Sequence, residues 1–313
     1  MNVIDITICR TNRKGVNVVV KVLLVLIALV NGLYAFRFAS DFLKHRKEAW
    51  AEPGNNLFLA VWGAVVFFLS TFGISDFALS TILYRAKKFV SDTKLPGTLN
   101  TQCAIPVAVM ALAYISTIRV DTITLVSCIV AQMIGAYVGP RFVVKLPAGT
   151  IRKFMGAGLV VAAMFILAGK FNLVPSGGDA VGLTGSKLII AVVLLFIYGA
   201  LNNVGIGSYA PTMATIYALG VNPAVAFPIM MGACTFSVPM GAMEFVRLGQ
   251  YGRKITFFSS VFGIIGVLAA VFIVKSLNLS MIQWVVAAVV LYSGGSMLYE
   301  ELFKAKKLCE SEA

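Results

Sequence analysis

The chain has 313 residues, of which 59% are hydrophobic and only 12% charged, with a mean hydropathy of +0.90. Soluble domains are roughly half apolar and about a quarter charged, so a water-soluble core has no room for this much apolar surface, and a soluble enzyme is excluded. The formal charge of +13 would suggest a nucleic-acid partner in a soluble protein, but the 26 Lys and Arg fall almost entirely between apolar runs. No basic stripe interleaved with aromatics is present, so the charge encodes membrane topology and no nucleic-acid surface is expected.

Nine apolar segments follow in order: Val18–Phe38, Leu57–Tyr84, Gly97–Ile118, Thr122–Val144, Ile151–Gly169, Lys187–Leu219, Ala224–Val246, Ile255–Val274 and Leu279–Phe303. Runs of about 20 apolar residues span a bilayer, so the expected fold is an all-α polytopic membrane protein. The first segment follows a basic tail (Arg10, Arg13, Lys14) that resembles a signal peptide. No convincing small-residue cleavage site follows Ala35, and the segment is read as a membrane helix. Only Arg37–Asn56, Arg85–Pro96 and Lys170–Ser186 offer substantial loops, which leaves no space for a soluble domain.

Two segments are too long or too interrupted to be simple spans. Lys187–Leu219 would be roughly 50 Å as one helix, against about 30 Å of hydrocarbon. It carries Asn202-Asn203-Val204-Gly205-Ile206-Gly207-Ser208 at its middle, with Pro211 in the opening turn of the helix that resumes. Leu57–Tyr84 carries Phe72-Gly73-Ile74-Ser75-Asp76 at the corresponding place. Aligning Gly73–Ala78 with Gly205–Ala210, and Leu146–Ile151 with Leu277–Ile282, reveals an internal repeat of one broken segment followed by three intact ones. The expected organisation is therefore a tail, first helix and basic loop (1–56), repeat 1 (57–169), a linker (170–186), repeat 2 (187–303) and a C-terminal tail (304–313).

Charge decides how the broken segments sit. If all nine cross, Lys and Arg divide evenly between the two sides; if both broken segments are re-entrant, they divide 18 to 8. The same division results if only the second is re-entrant, and internal symmetry then argues for both. Each repeat has three true spans, so the two are inverted relative to each other. The expectation is seven full spans, an outside N-terminus carrying four positive charges, and a cytoplasmic C-terminus.

Broken backbone at membrane depth is tolerated only against protein or a water-filled cavity, so a paired break marks a site. Half-helix N-termini carry free N–H groups and partial positive charge, which suit a small anion. The residues starting the second half-helices, Ser75-Asp76 and Gly207-Ser208, are good N-caps. Asp76 has two readings: a helix cap, or a lone intramembrane acid that titrates or binds a coupling cation. Gln132, Cys234, Thr235 and Ser237 are polar at depth and should face protein. Asn100 and Gln102 either line the substrate cavity or bond helix to helix. The candidate binding residues are Gly73, Ser75, Asp76, Asn100, Gln102, Asn203, Gly205, Gly207, Ser208 and Thr235. Gly135 and Gly139 form a close-packing GxxxG, and Glu244 with Arg247 an ion pair near a helix end.

Signals for other chemistry are weak. Five cysteines (Cys9, Cys103, Cys128, Cys234, Cys309) form no CxxC and do not pair with the one histidine, His45, so no metal site is expected. Gly205–Ala210 matches the dinucleotide fingerprint, but inside an apolar segment without a βαβ context. There is no Walker A loop, and no HExxH, paired intramembrane acids or Ser/His constellation to make an enzyme.

These residues resemble the TauE/SafE sulfite exporter family of membrane permeases over about Leu57 to Leu302. The likeness is carried by Val204-Gly205-Ile206-Gly207 with Pro211, Gly220-Val221-Asn222-Pro223-Ala224 with Ala226, the Gly135/Gly139 helix, Leu146-Pro147, Phe72–Asp76 and Lys94-Leu95-Pro96-Gly97-Thr98. Ser75 and Asp76 depart from the family's usual glycines, and the proline expected shortly after is absent. The resemblance implies a plasma-membrane secondary transporter of sulfite, a sulfonate or another organosulfur anion. An anion channel and a carrier of a non-sulfur organic anion are the alternatives. No cofactor is expected beyond coupling to H+ or Na+; the partners are a small anion and the bilayer, and a homo-oligomer stays open.

Overall fold

The computed structural model describes residues 3–91, 93–138, 180–202 and 208–276, and scattered positions within 156–171 and 281–299. The fifth expected span and part of the ninth lie largely outside these residues, as do Gly139 and the Leu146–Ile151 turn. The described residues form helices α1 (Val3–Lys44), α2 (Arg46–Ala51), α3 (Asn56–Thr71), α4 (Asp76–Ala86), α5 (Leu95–Thr117) and α6 (Thr122–Val138). After these come α7 (Gly185–Asn202), α8 (Tyr209–Ala218), α9 (Ala226–Leu248), α10 (Arg253–Ser276) and α11 (Trp284–Ser296). Among the described residues four stretches, Val18–Lys44, Leu95–Thr117, Ala226–Leu248 and Arg253–Val274, are long and apolar enough to cross a membrane. The chain is thus a helical membrane protein by the length and apolarity of its helices.

The first helix runs past the expected Phe38 because its apolar face continues at helical spacing. Phe38 and Phe42 are buried, against Tyr251 at 6.2 Å and Phe257 at 4.9 Å between ring centroids. α5 starts at Leu95 with Pro96 in its first turn, where the missing N–H costs no helical bond.

The two interrupted segments each fold back as a helical hairpin. Phe58 in the first turn of α3 and Phe89 beyond α4 have ring centroids 5.8 Å apart, whereas one continuous helix would separate them by about 45 Å. In the second segment the Tyr198 and Thr215 hydroxyls are 2.9 Å apart, and Lys187 Nζ donates to the Leu219 carbonyl at 3.0 Å. A continuous helix would hold the first of these pairs about 25 Å apart.

The hairpins enter from opposite ends of the bundle. The base of α3/α4 lies with the loops at Glu52 and Gly252–Lys254, where Glu52 accepts from the Arg253 and Lys254 N–H groups and the Thr98 hydroxyl accepts from Gly252 N. The base of α7/α8 lies with the α5–α6 turn, through Asp121 N to the Val181 carbonyl and Asn222 N to the Ala180 carbonyl.

Packing is reciprocal. α3 lies on α10 and α7 on α6, while α5 and α9 pair at the centre and α1 crosses them. Both outer seams close on glycine. A Cβ on Gly266 would stand 2.0 Å from the Ala64 carbonyl oxygen, and one on Gly135 would stand 1.9 Å from that of Phe196. Gly135 therefore packs helix against helix as its GxxxG spacing predicts.

Candidate functional site

The α3–α4 break is a tight, self-satisfied corner. Gly73, at φ +96°, sits in the left-handed region that glycine enters freely. Its N–H bonds the Ser70 carbonyl while Ile74 N reaches back to Leu69, a pairing that satisfies the last carbonyls of α3. Ser75 then caps α4 by accepting from Ala78 N at 3.3 Å. This tip abuts the other hairpin: a Cβ on Gly73 would meet the Met213 Sδ and Cε of α8 at 2.9 Å.

Asp76, only 2% exposed, opens α4 at this junction. Its Oδ1 accepts from the Ser70 hydroxyl at 3.2 Å, and its Oδ2 is buried without a partner. From the other hairpin, Ser208 precedes α8 but makes no side-chain cap; its Oγ accepts instead from Gln132 Nε2 at 3.1 Å. Gln132 Oε1 and Thr212 Oγ1 are likewise buried without partners. The Cys234 sulfur lies 3.9 Å from Ser208 Oγ and 3.8 Å from Gln132 Nε2, completing a polar cluster between the tips. Polar atoms left unpaired in a dry interior cost free energy, and the free oxygens of Asp76 and Gln132 on the two sides of this junction make it the candidate site.

The remaining expected residues divide. Gln102 is buried and fully engaged, accepting from the Tyr84 hydroxyl and donating to Ser80 Oγ at 3.0 Å, so it ties α5 to α4. Asn100, two positions earlier, faces elsewhere: it donates to the Pro96 carbonyl and lines a cavity of about 500 Å³ with Met133, Tyr137 and Phe236. Thr235 is held by α1, its hydroxyl accepting from Asn31 Nδ2 at 2.9 Å. Asn203, Gly205 and Gly207 lie outside the described residues. Glu244 and Arg247 do form an ion pair, exposed on α9.

Sequence reasoning missed Asn31, Ser70 and Thr212. Asn31 had a readable signal. Pro239 lacks the N–H that would bond the carbonyl four residues earlier, so Thr235 is left with a free carbonyl inside a buried helix. Asn31 Nδ2 supplies the bond at 3.1 Å, and it is a lone amide in an otherwise apolar stretch of α1. Ser70 had none, because a serine near a helix end serves many local purposes.

No protein-family model, curated protein or solved structure matches this chain. The fold and the site define a helical membrane protein with buried polar side chains at the place where two oppositely entering hairpins touch.

Proposed function

We propose that the chain is a secondary transporter of a small anion, built as two inverted repeats that alternate access around paired re-entrant hairpins. The observation that carries the reading is the meeting of the two hairpins, Gly73 against Met213, beside the buried side chains of Asp76, Gln132, Ser208 and Cys234, with one oxygen each of Asp76 and Gln132 unpartnered. Oppositely entering hairpins that touch in the middle are what an inverted repeat requires, and reciprocal packing of α3 on α10 and α7 on α6 agrees with it. Substrate sites in such carriers form at the repeat interface, from half-helix ends.

The anionic class is supported by α8, whose leading serine hydroxyl is drawn aside to Gln132, leaving the helix start without a side-chain cap. Organosulfur substrates follow from the resemblance to the TauE/SafE permeases, as does a plasma-membrane setting. The cytoplasmic C-terminus follows from the charge count. In the structure, Lys87, Lys88, Lys94, Arg253 and Lys254 belong to the loops at the α3/α4 end, the side assigned to the cytoplasm.

The test is uptake into proteoliposomes of radiolabelled sulfite, thiosulfate, taurine, isethionate and sulfoacetate, with carboxylates for comparison. Saturable, gradient-dependent flux of at least one anion is expected, with loss in Gly73→Leu, whose side chain would push Met213 out of the junction. Unsaturable conductance, or wild-type flux in that variant, overturns the carrier reading.

A further inference from the structure

Asp76 is more than a cap. Ser75 already serves that role for α4, and although the backbone N–H groups of Asp76 and Phe77 at the helix start face the carboxylate, its Oδ2 has no partner within hydrogen-bond geometry. The groups near enough to sense its charge are Tyr84 of α4, Cys103 of α5, Tyr209 of α8 and Cys234 of α9, with only the Ser70 hydroxyl from α3. Each is uncharged at neutral pH in its ordinary state. Among the described residues no Lys, Arg or His pairs with Asp76, while the buried Arg253 is matched to Asp41 at 2.8 Å.

A buried carboxylate without a cation is expensive, and a second anion at the adjoining α8 terminus would repel it. Two remedies exist: a bound metal cation or a proton. A hard cation needs several oxygen ligands, whereas among the described residues Ser70 Oγ is the one side-chain oxygen bonded to the carboxylate. The Leu69 and Ser70 carbonyls at the corner already accept from backbone N–H groups. A proton needs only the free Oδ2.

Resting on the transporter reading above, we infer that Asp76 is the proton-carrying residue of the cycle, so that the anion moves together with H+ and not with Na+. The proton is taken from water on one side to form an O–H bond at Oδ2. Anion binding requires that neutral form, and after the hairpins change access the O–H bond breaks and the proton returns to water on the other side. One proton accompanies each anion, and for a monoanion the step is electrically neutral.

The experiment compares wild type, Asp76→Asn and Asp76→Glu in proteoliposomes, with radiolabelled isethionate, sulfoacetate and thiosulfate as probes. Both net uptake under a pH gradient and exchange at equal pH are measured. In wild type, one unit of pH gradient should sustain about tenfold accumulation of isethionate, since one unit is a tenfold difference in proton activity. The asparagine variant, fixed in a neutral form, should lose the accumulation, with whatever exchange it retains no longer depending on pH, and the glutamate variant should recover part of the accumulation. A melting temperature in detergent no lower than wild type shows that the variant is folded. Flux that ignores the pH gradient, flux that follows Na+, or gradient-driven accumulation surviving in Asp76→Asn each overturns this inference and leaves the carrier intact. Absence of flux for every probe in wild type removes the carrier reading, and the inference falls with it.

Discussion

The two hairpins both fold back on themselves, and the helices that leave their breaks, α4 and α8, begin with different chemistry. The α3/α4 corner is closed by its own residues: Gly73 turns the chain, Ser75 caps α4 and Ser70 holds one oxygen of Asp76. At the start of α8 the residue in the N-cap position, Ser208, makes no cap and accepts a bond from Gln132 on a neighbouring helix. One tip therefore presents an acid and the other a helix start whose leading side chain looks away. On the transporter reading proposed above, a pair of tips that differ in this way would take the proton and the anion on opposite halves of one site, which two identical tips would not.

The largest test of the comparison concerns the frame that holds both tips. Gly135→Leu and Gly266→Leu should each lower stability by about 3 kcal/mol or prevent folding, because a carbonyl of the facing helix occupies the space. Thermal unfolding in detergent measures this; a silent substitution at either glycine breaks the equivalence of the two seams. Next, Asn31→Leu leaves the Thr235 carbonyl without its donor and should cost about 1–3 kcal/mol. An unchanged melting temperature would show that α1 is not needed to complete α9.

Smaller effects sharpen the contrast between the tips themselves. Ser75→Ala removes a real cap and should cost about 1 kcal/mol. Ser208→Ala removes no cap but strands the buried Gln132 amide, so Ser208→Ala combined with Gln132→Leu should recover the stability that the single alanine loses. Equal melting temperatures for the single and the double variant would erase the distinction. Smallest is Arg247→Ala, which breaks an exposed pair and should change stability by no more than about 0.5 kcal/mol.

The hairpins were legible because glycine and serine in the middle of an apolar run leave a helix with few alternatives, and charge counting then denied the second a crossing. The same count could not decide the first; the approach of Phe58 to Phe89 does. Asp76 and Ser208 stood out by position, and the structure brings both to the junction. Asn100, Gln102 and Thr235 were recognised as polar at depth, yet sequence spacing does not say which neighbour a side chain finds. Gln102 met Tyr84 and Ser80, Thr235 met Asn31, and Asn100 turned to a mostly apolar cavity.

By itself the sequence determined that this chain folds as helices in lipid, where two of its apolar segments break, and which acid lies alone among apolar neighbours. Composition, helix-breaking residues and charge act locally or by simple count, so each can be read along the chain. The partners of the buried polar groups were decided only in three dimensions. Ser70 for Asp76, Gln132 for Ser208 and Asn31 for Thr235 are bonds between chain positions up to 204 apart. In a dry interior each donor takes whichever acceptor the packing brings within about 3 Å, and close helix approach at glycine sets that packing.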